Sequence, residues 1–185
     1  MTTDHARTEY DALRATIRER GTWRVVLLWL SLAVWASLLV AALARGTPLL
    51  LVSLVALAAG FESVYALHVG VERIGRYLQV FYETSATLPA WERTAMAYGR
   101  ERSGDGLDPI FSTLFATAGF LNLVPMLTSR RFGLILVGVV AHGLFAARIL
   151  KARRYAAKQR AQDLERFTTL KAVRNEERGT RNAQD

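Results

Sequence analysis

The sequence predicts an all-α membrane protein with four transmembrane helices, and three observations carry that prediction. Hydrophobic residues make up 51% of the 185-residue chain although 22% of it is charged, so the two populations must be segregated along the sequence. They are segregated: residues 25–44 and 109–128 contain no charged residue, and about 20 apolar residues are enough to cross the roughly 30 Å hydrocarbon core as a helix. No stretch alternates with the period of a barrel strand, and an open sheet edge finds no hydrogen-bond partner in lipid, so the spans are helices.

The first segment, 1–24, is an amphipathic helix: Ala6, Tyr10, Leu13 and Ile17 form one apolar stripe that Gly21 is expected to end. Trp23 stands at headgroup level before the first span, 25–44. The long segment ahead of that span and its length speak against a cleaved signal peptide. The second span, 48–70, opens with Thr47 as a cap and Pro48 at the first helical position, where a missing N–H costs nothing. No proline follows until Pro89, so this helix continues past the membrane for a total of about 55 Å, and only its first turns fit in lipid. The connection 71–108 holds a second short amphipathic candidate, PAWERTAMAYGRERSGDG. Asp108 and Pro109 start the third span, 109–128, which carries Asn122, and the fourth, 132–150, has His142 near its middle. A basic helix then occupies 151–185, with Leu164, Phe167, Leu170 and Val173 on one side and a frayed end over 178–185.

Lysine and arginine fix the expected orientation. The N-terminal segment, the middle connection and the C-terminal stretch together hold 21 of the 24 cations, against 3 in the two short connections. Basic residues stay on the cytoplasmic side, so the chain is expected in the cytoplasmic (inner) membrane with both termini inside. Topology accounts for the net charge of +8, so nucleic acid is not expected as a partner; anionic lipid headgroups are. The short outer connections leave no room for an external ligand domain.

The stretch 60–83, GFESVYALHVGVERIGRYLQVFYE, interrupts the apolar pattern with Glu62, His68, Glu72, Arg73, Arg76 and Glu83. At period 3.5 it divides into a polar seam (62, 65, 69, 72, 76, 79, 83) and an apolar seam through Val71, Ile74, Leu78 and Phe81, which is the expected docking face for a partner. Glu72 and Arg76 read as an exposed i, i+4 pair, so Arg76→Ala is expected to do little. Glu62 differs. It falls about 21 Å from the outer end of its helix, some 9 Å inside the inner boundary, and is expected to face the bundle as an ionisable site. His142 lies at a similar depth as its expected partner, with Thr113, Thr117, Tyr65, His68 and Asn122 as supporting polar groups.

Catalysis has little support. Phosphate loops and nucleophile elbows are absent, and the cysteine-free chain has neither thiolate metal sites nor thiol nucleophiles. The Glu-x-x-His pattern of di-iron bundles is missing, so no metal and no cofactor are expected. Small residues recur at i, i+4 in every span: Ala33, Ser37 and Ala41; Ala56 and Gly60; Ser112 and Ala116; Gly143 and Ala147. Such series permit close helix contact within one bundle or between copies. The expected function is therefore that of a non-enzymatic oligomeric or accessory membrane component, working as a homo-oligomer or beside a partner membrane protein that docks on the cytoplasmic helices. The alternative is a proton or cation pathway through Glu62.

Overall fold

The computed structural model describes residues 3–45, 49–83, 91, 94, 109–128 and 131–182. Among the described residues four long helices build the fold: α1 (Thr3–Arg45), α2 (Leu49–Phe81), α3 (Pro109–Leu127) and α4 (Phe132–Asn182). No strand occurs among the described residues, and all four helices are long and apolar enough to cross a membrane. At 1.5 Å per residue they measure about 64, 50, 28 and 76 Å, so α3 alone is no longer than a membrane is thick.

Two boundaries differ from expectation. α1 runs straight through Gly21, because one glycine costs only about 0.5–1 kcal/mol relative to alanine, too little to end a helix held by its neighbours. α4 stays helical through Asn182, into the stretch expected to fray. Thr47, Pro48, Asp108 and, save for Trp91 and Thr94, the amphipathic segment of the middle connection lie outside the described residues.

Three apolar clusters run along the bundle axis. At one end Ala42, Leu50 and Met126 pack with Leu39 and Leu134, which brings the last turns of α1 and α3 and the first turns of α2 and α4 together. In the middle, Leu28, Leu57, Phe61, Phe115, Phe145 and Ile149 draw all four helices together, with Phe61 edge-on to both Phe115 and Phe145. Beyond α3, at the opposite end, α1, α2 and α4 continue as a polar extension. There Tyr10, Leu78 and Tyr82 form a core with Leu13, Ile17, Ile74 and Phe81 around it, and Phe167 of α4 closes edge-on against Tyr77 and Phe81.

α2 touches each of the other helices, and this central position decides what its seams do. The apolar seam through Ile74, Leu78 and Phe81, expected to await a partner, is covered by the chain's own helices, Leu78 completely; Val71 is half-buried. Large apolar side chains on the outside, among them Trp29, Val40, Val55, Phe120, Leu136 and Leu144, are concentrated in the four apolar segments. A continuous surface of this kind is suited to lipid and is rare on a protein in water.

The small-residue series split. Gly60 is buried where α2 crosses α1, and a methyl group there would overlap Ser31. Ser112 is buried and Ala56 half-buried, but Ala33, Ser37, Ala116, Gly143 and Ala147 face outward. Gly60→Ala is thus expected to lower stability by about 1–3 kcal/mol, the cost of overfilling a closed contact. A Cβ on Gly21 meets nothing within 4 Å, so Gly21→Ala should raise stability by about 0.5–1 kcal/mol through a less flexible unfolded chain. Unfolding of the two variants in the same micelles checks both signs.

Candidate functional site

Among the described residues two extended polar assemblies are buried, one among the apolar segments and one in the extension. The first centres on Asn122 of α3, which is fully buried. Its Oδ1 accepts from the Trp35 indole N–H of α1 at 3.2 Å and from the Ser53 hydroxyl of α2 at 2.5 Å. Its amide nitrogen donates to the Leu50 carbonyl at 3.0 Å and meets Nε2 of His142, on α4, at 3.1 Å. An indole can only donate and a carbonyl can only accept, so these two neighbours fix which end of the amide is oxygen. Nδ1 of His142 lies 2.7 Å from the Gly138 carbonyl and must carry the ring proton; Nε2 then accepts, and the imidazole is neutral. Both donors and both acceptor positions of Asn122 are used. One side chain ties all four helices.

The second assembly joins α2 to α4. Arg76, only 2% exposed, donates to Glu72 at 3.0 Å and to Asp163 at 3.2 Å. Arg160 reaches Glu72 from α4 at 3.3 Å, and the half-exposed Arg73 approaches Asp163 at 3.6 Å. Each carboxylate thus has two guanidinium neighbours, which is the pairing a buried charge requires. The crevice beside them, lined by His68, Val69, Glu72, Arg76, Ala156 and Gln159, has no room for a water molecule. The Glu72–Arg76 pair, expected on a wet surface, is an internal contact. As the central helix, α2 has two covered faces: the apolar seam packs mainly on α1, with Phe81 also meeting Phe167 of α4, and much of the polar seam lies on α4.

Around the aromatic core of the extension, Tyr77 donates to Glu9 at 3.0 Å. Burial, followed by the hydrogen bond and negative charge of Glu9, pushes the Tyr77 and Tyr82 hydroxyls above the usual tyrosine range. Tyr77 thus acts as a neutral donor that fastens α2 to α1.

Glu62 is placed differently from its expected position. Its side chain is 47% exposed, on the outer face of the bundle, and it pairs with Arg148 of α4 at 2.7 Å. Arg148 also lies over the Tyr65 ring at 5.0 Å and the Phe61 ring at 5.9 Å. His142 belongs to the Asn122 assembly, Thr113 and Thr117 face outward, and no hydrogen bond among the described residues links Glu62 to His142. His68 is buried and accepts from Arg24 at 2.9 Å, while Arg24 stacks on Phe111 at 4.8 Å; this pair ties α1 to α2 and α3 where α3 begins.

The chain matches no protein-family model, no curated protein and no solved structure. The side chains themselves must therefore carry the functional reading. No group of three or more His, Asp or Glu with metal-binding geometry occurs among the described residues. Both buried assemblies are held by hydrogen bonds and ion pairs between helices, so their chemistry is that of fasteners.

Several of these partners escaped the sequence reading. Trp35 and Ser53 read as ordinary span residues, Arg148 as the first cation of the C-terminal stretch, and Asp163 as one charge among many on a basic helix. Depth held a usable signal for one pair: Ser53 lies four residues from the start of α2 and Asn122 five from the end of α3, whereas Trp35 and His142 each lie ten residues from their helix ends and reach Asn122 across that difference. The signal for Asp163 was its position as the first acid of α4, after six cations.

Proposed function

We propose that this chain is a non-enzymatic component of the cytoplasmic membrane, with both termini in the cytoplasm, that engages a partner protein through the polar extension of its bundle. The observation that carries this reading is the state of α4 alongside and beyond its ties to the end of α2. Lys171 donates to the Val80 carbonyl at 2.6 Å and Arg174 stacks on Phe81 at 5.9 Å, which holds one face of the helix against α2. On other faces Leu170 and Val173 are exposed, and the helix runs on to Asn182 after α2 has ended at Phe81. A helix held on one face and apolar on another is suited to docking. It replaces the Ile74–Leu78–Phe81 seam as the proposed contact surface. The lysine and arginine bias supports the inward orientation.

An ion pathway through Glu62 has weaker support, because Arg148 already neutralises that carboxylate and His142 is committed to Asn122 and Gly138.

The cysteine-free chain makes the test direct. In intact cells an impermeant maleimide is expected to label Arg131→Cys and to spare Gly179→Cys; the reverse would overturn the orientation. A photoreactive side chain at Leu170 in native membranes should give one discrete adduct that Val173→Asp removes, and one at Val173 an adduct that Leu170→Asp removes, whereas Leu78 should give none. No adduct from either exposed position would overturn the docking reading.

A further inference from the structure

The outer face of α4 changes chemistry within one turn. Up to Leu150 it presents apolar side chains, with Leu136, Val140, Leu144 and Leu150 exposed. From Lys151 it presents cations: Lys151, Arg154 and Lys158 are all exposed. Together with Ala147, Leu150 and Tyr155 they line an open hollow of about 430 Å³. These positions are spaced by three and four residues, so they share one face, opposite the buried Ile149, Ala152 and Ala156. No carboxylate among the described residues pairs with the three cations, and from Phe132 to Gln162 the sequence contains no acid. Arg148, one turn below, is already committed to Glu62. Three positive charges without a carboxylate partner among the described residues thus stand directly above an apolar floor.

We propose that this hollow binds the headgroup of one anionic phospholipid, its phosphodiester held by Lys151, Arg154 and Lys158 and its acyl chains lying along Leu150 and Ala147. The shared chemistry is that of a phosphate anion, and the floor selects the lipid: a free phosphate gains nothing from exposed leucine and alanine, whereas a lipid uses both halves of the site. The depth agrees. From Leu150 to Arg154 the helix rises about 6 Å, the thickness of one headgroup layer, and Lys158 stands one turn farther out. Tyr155, 53% exposed, has the amphipathic ring favoured at that level. The proposal rests on the four helices crossing a bilayer and is independent of docking through the extension.

The test titrates the full chain in detergent micelles with phosphatidylglycerol, phosphatidylcholine or inorganic phosphate and follows the thermal unfolding midpoint. Phosphatidylglycerol should raise the midpoint saturably, as a ligand specific to the folded state does, and phosphatidylcholine and phosphate should not. The variant K151Q/R154Q/K158Q should bind phosphatidylglycerol roughly 100-fold more weakly, at about fivefold per basic residue. A control with as many exposed cations removed elsewhere, R7Q/R18Q/R166Q, should retain the wild-type response. Equal losses in both variants would mean a diffuse surface attraction, and an equal shift from inorganic phosphate would mean a free-anion site; either overturns the proposal. Without lipid the triple variant should unfold at the wild-type midpoint, and an early transition would show instead that these cations hold the fold. Flotation with phosphatidylcholine vesicles checks the membrane placement separately, since a chain that does not float fails before any headgroup is chosen.

Discussion

Replacing Arg76 with methionine is expected to destabilise the chain by about 3 kcal/mol, the low end of what removal of one partner from a buried ion pair costs. The loss should not reach the upper end, because Arg73 remains near Asp163 and Arg160 near Glu72. Asp163→Leu should cost a similar amount by leaving Arg76 with one carboxylate where it had two. The double variant R76M/D163L should recover most of the loss, since a buried pair exchanged for apolar side chains of similar volume is often neutral. Arg73→Ala, which removes a half-exposed cation, should change stability by less than about 0.5 kcal/mol. Equilibrium unfolding of the four variants in one detergent measures all of these. A silent Arg76→Met would show that the α2–α4 interface is wet and that the exposed-pair reading of the sequence was right.

Asn122→Leu is expected to cost roughly 2–4 kcal/mol, since its four hydrogen bonds would each contribute about 0.6 kcal/mol on average between membrane helices, and about 1.7 at most. The substitution strands the Trp35 N–H, the only donor on that side chain, and frees His142 and Ser53 from their shared partner. His142→Leu breaks one of the four bonds and should cost only about 1 kcal/mol. Indole fluorescence gives a second readout: in Asn122→Leu the emission of Trp35 should lose its hydrogen-bonded character, and in His142→Leu it should keep it. If the two replacements were equally costly, the amide would not be the centre of this assembly.

Much of the fold was legible because it depends on local composition. The uncharged run 25–44 and the run 109–128 read as helices of membrane length without reference to any neighbour, and the absence of proline from Leu49 to Phe81 gave the length of α2. The same reasoning overstated Gly21, since a weak local preference yields to packing along a 43-residue helix. It also assigned Asn122 a supporting place, because one polar residue in a span says that a partner exists without saying which.

By itself, then, the sequence determined the helical class, the four apolar segments and the asymmetry of charge between alternate connections. The tertiary structure decided which faces are covered. Period and hydropathy describe one helix at a time, whereas burial depends on the rotation of each helix against its neighbours, which no single segment encodes. Glu62 had the right depth to be a buried acid but points to the outer face beside Arg148. Arg76 had the spacing of a surface pair but lies between α2 and α4. The sequence pattern for a wet face and for an ion-paired interior face is the same, and only the arrival of Asp163 from 87 residues away separates them.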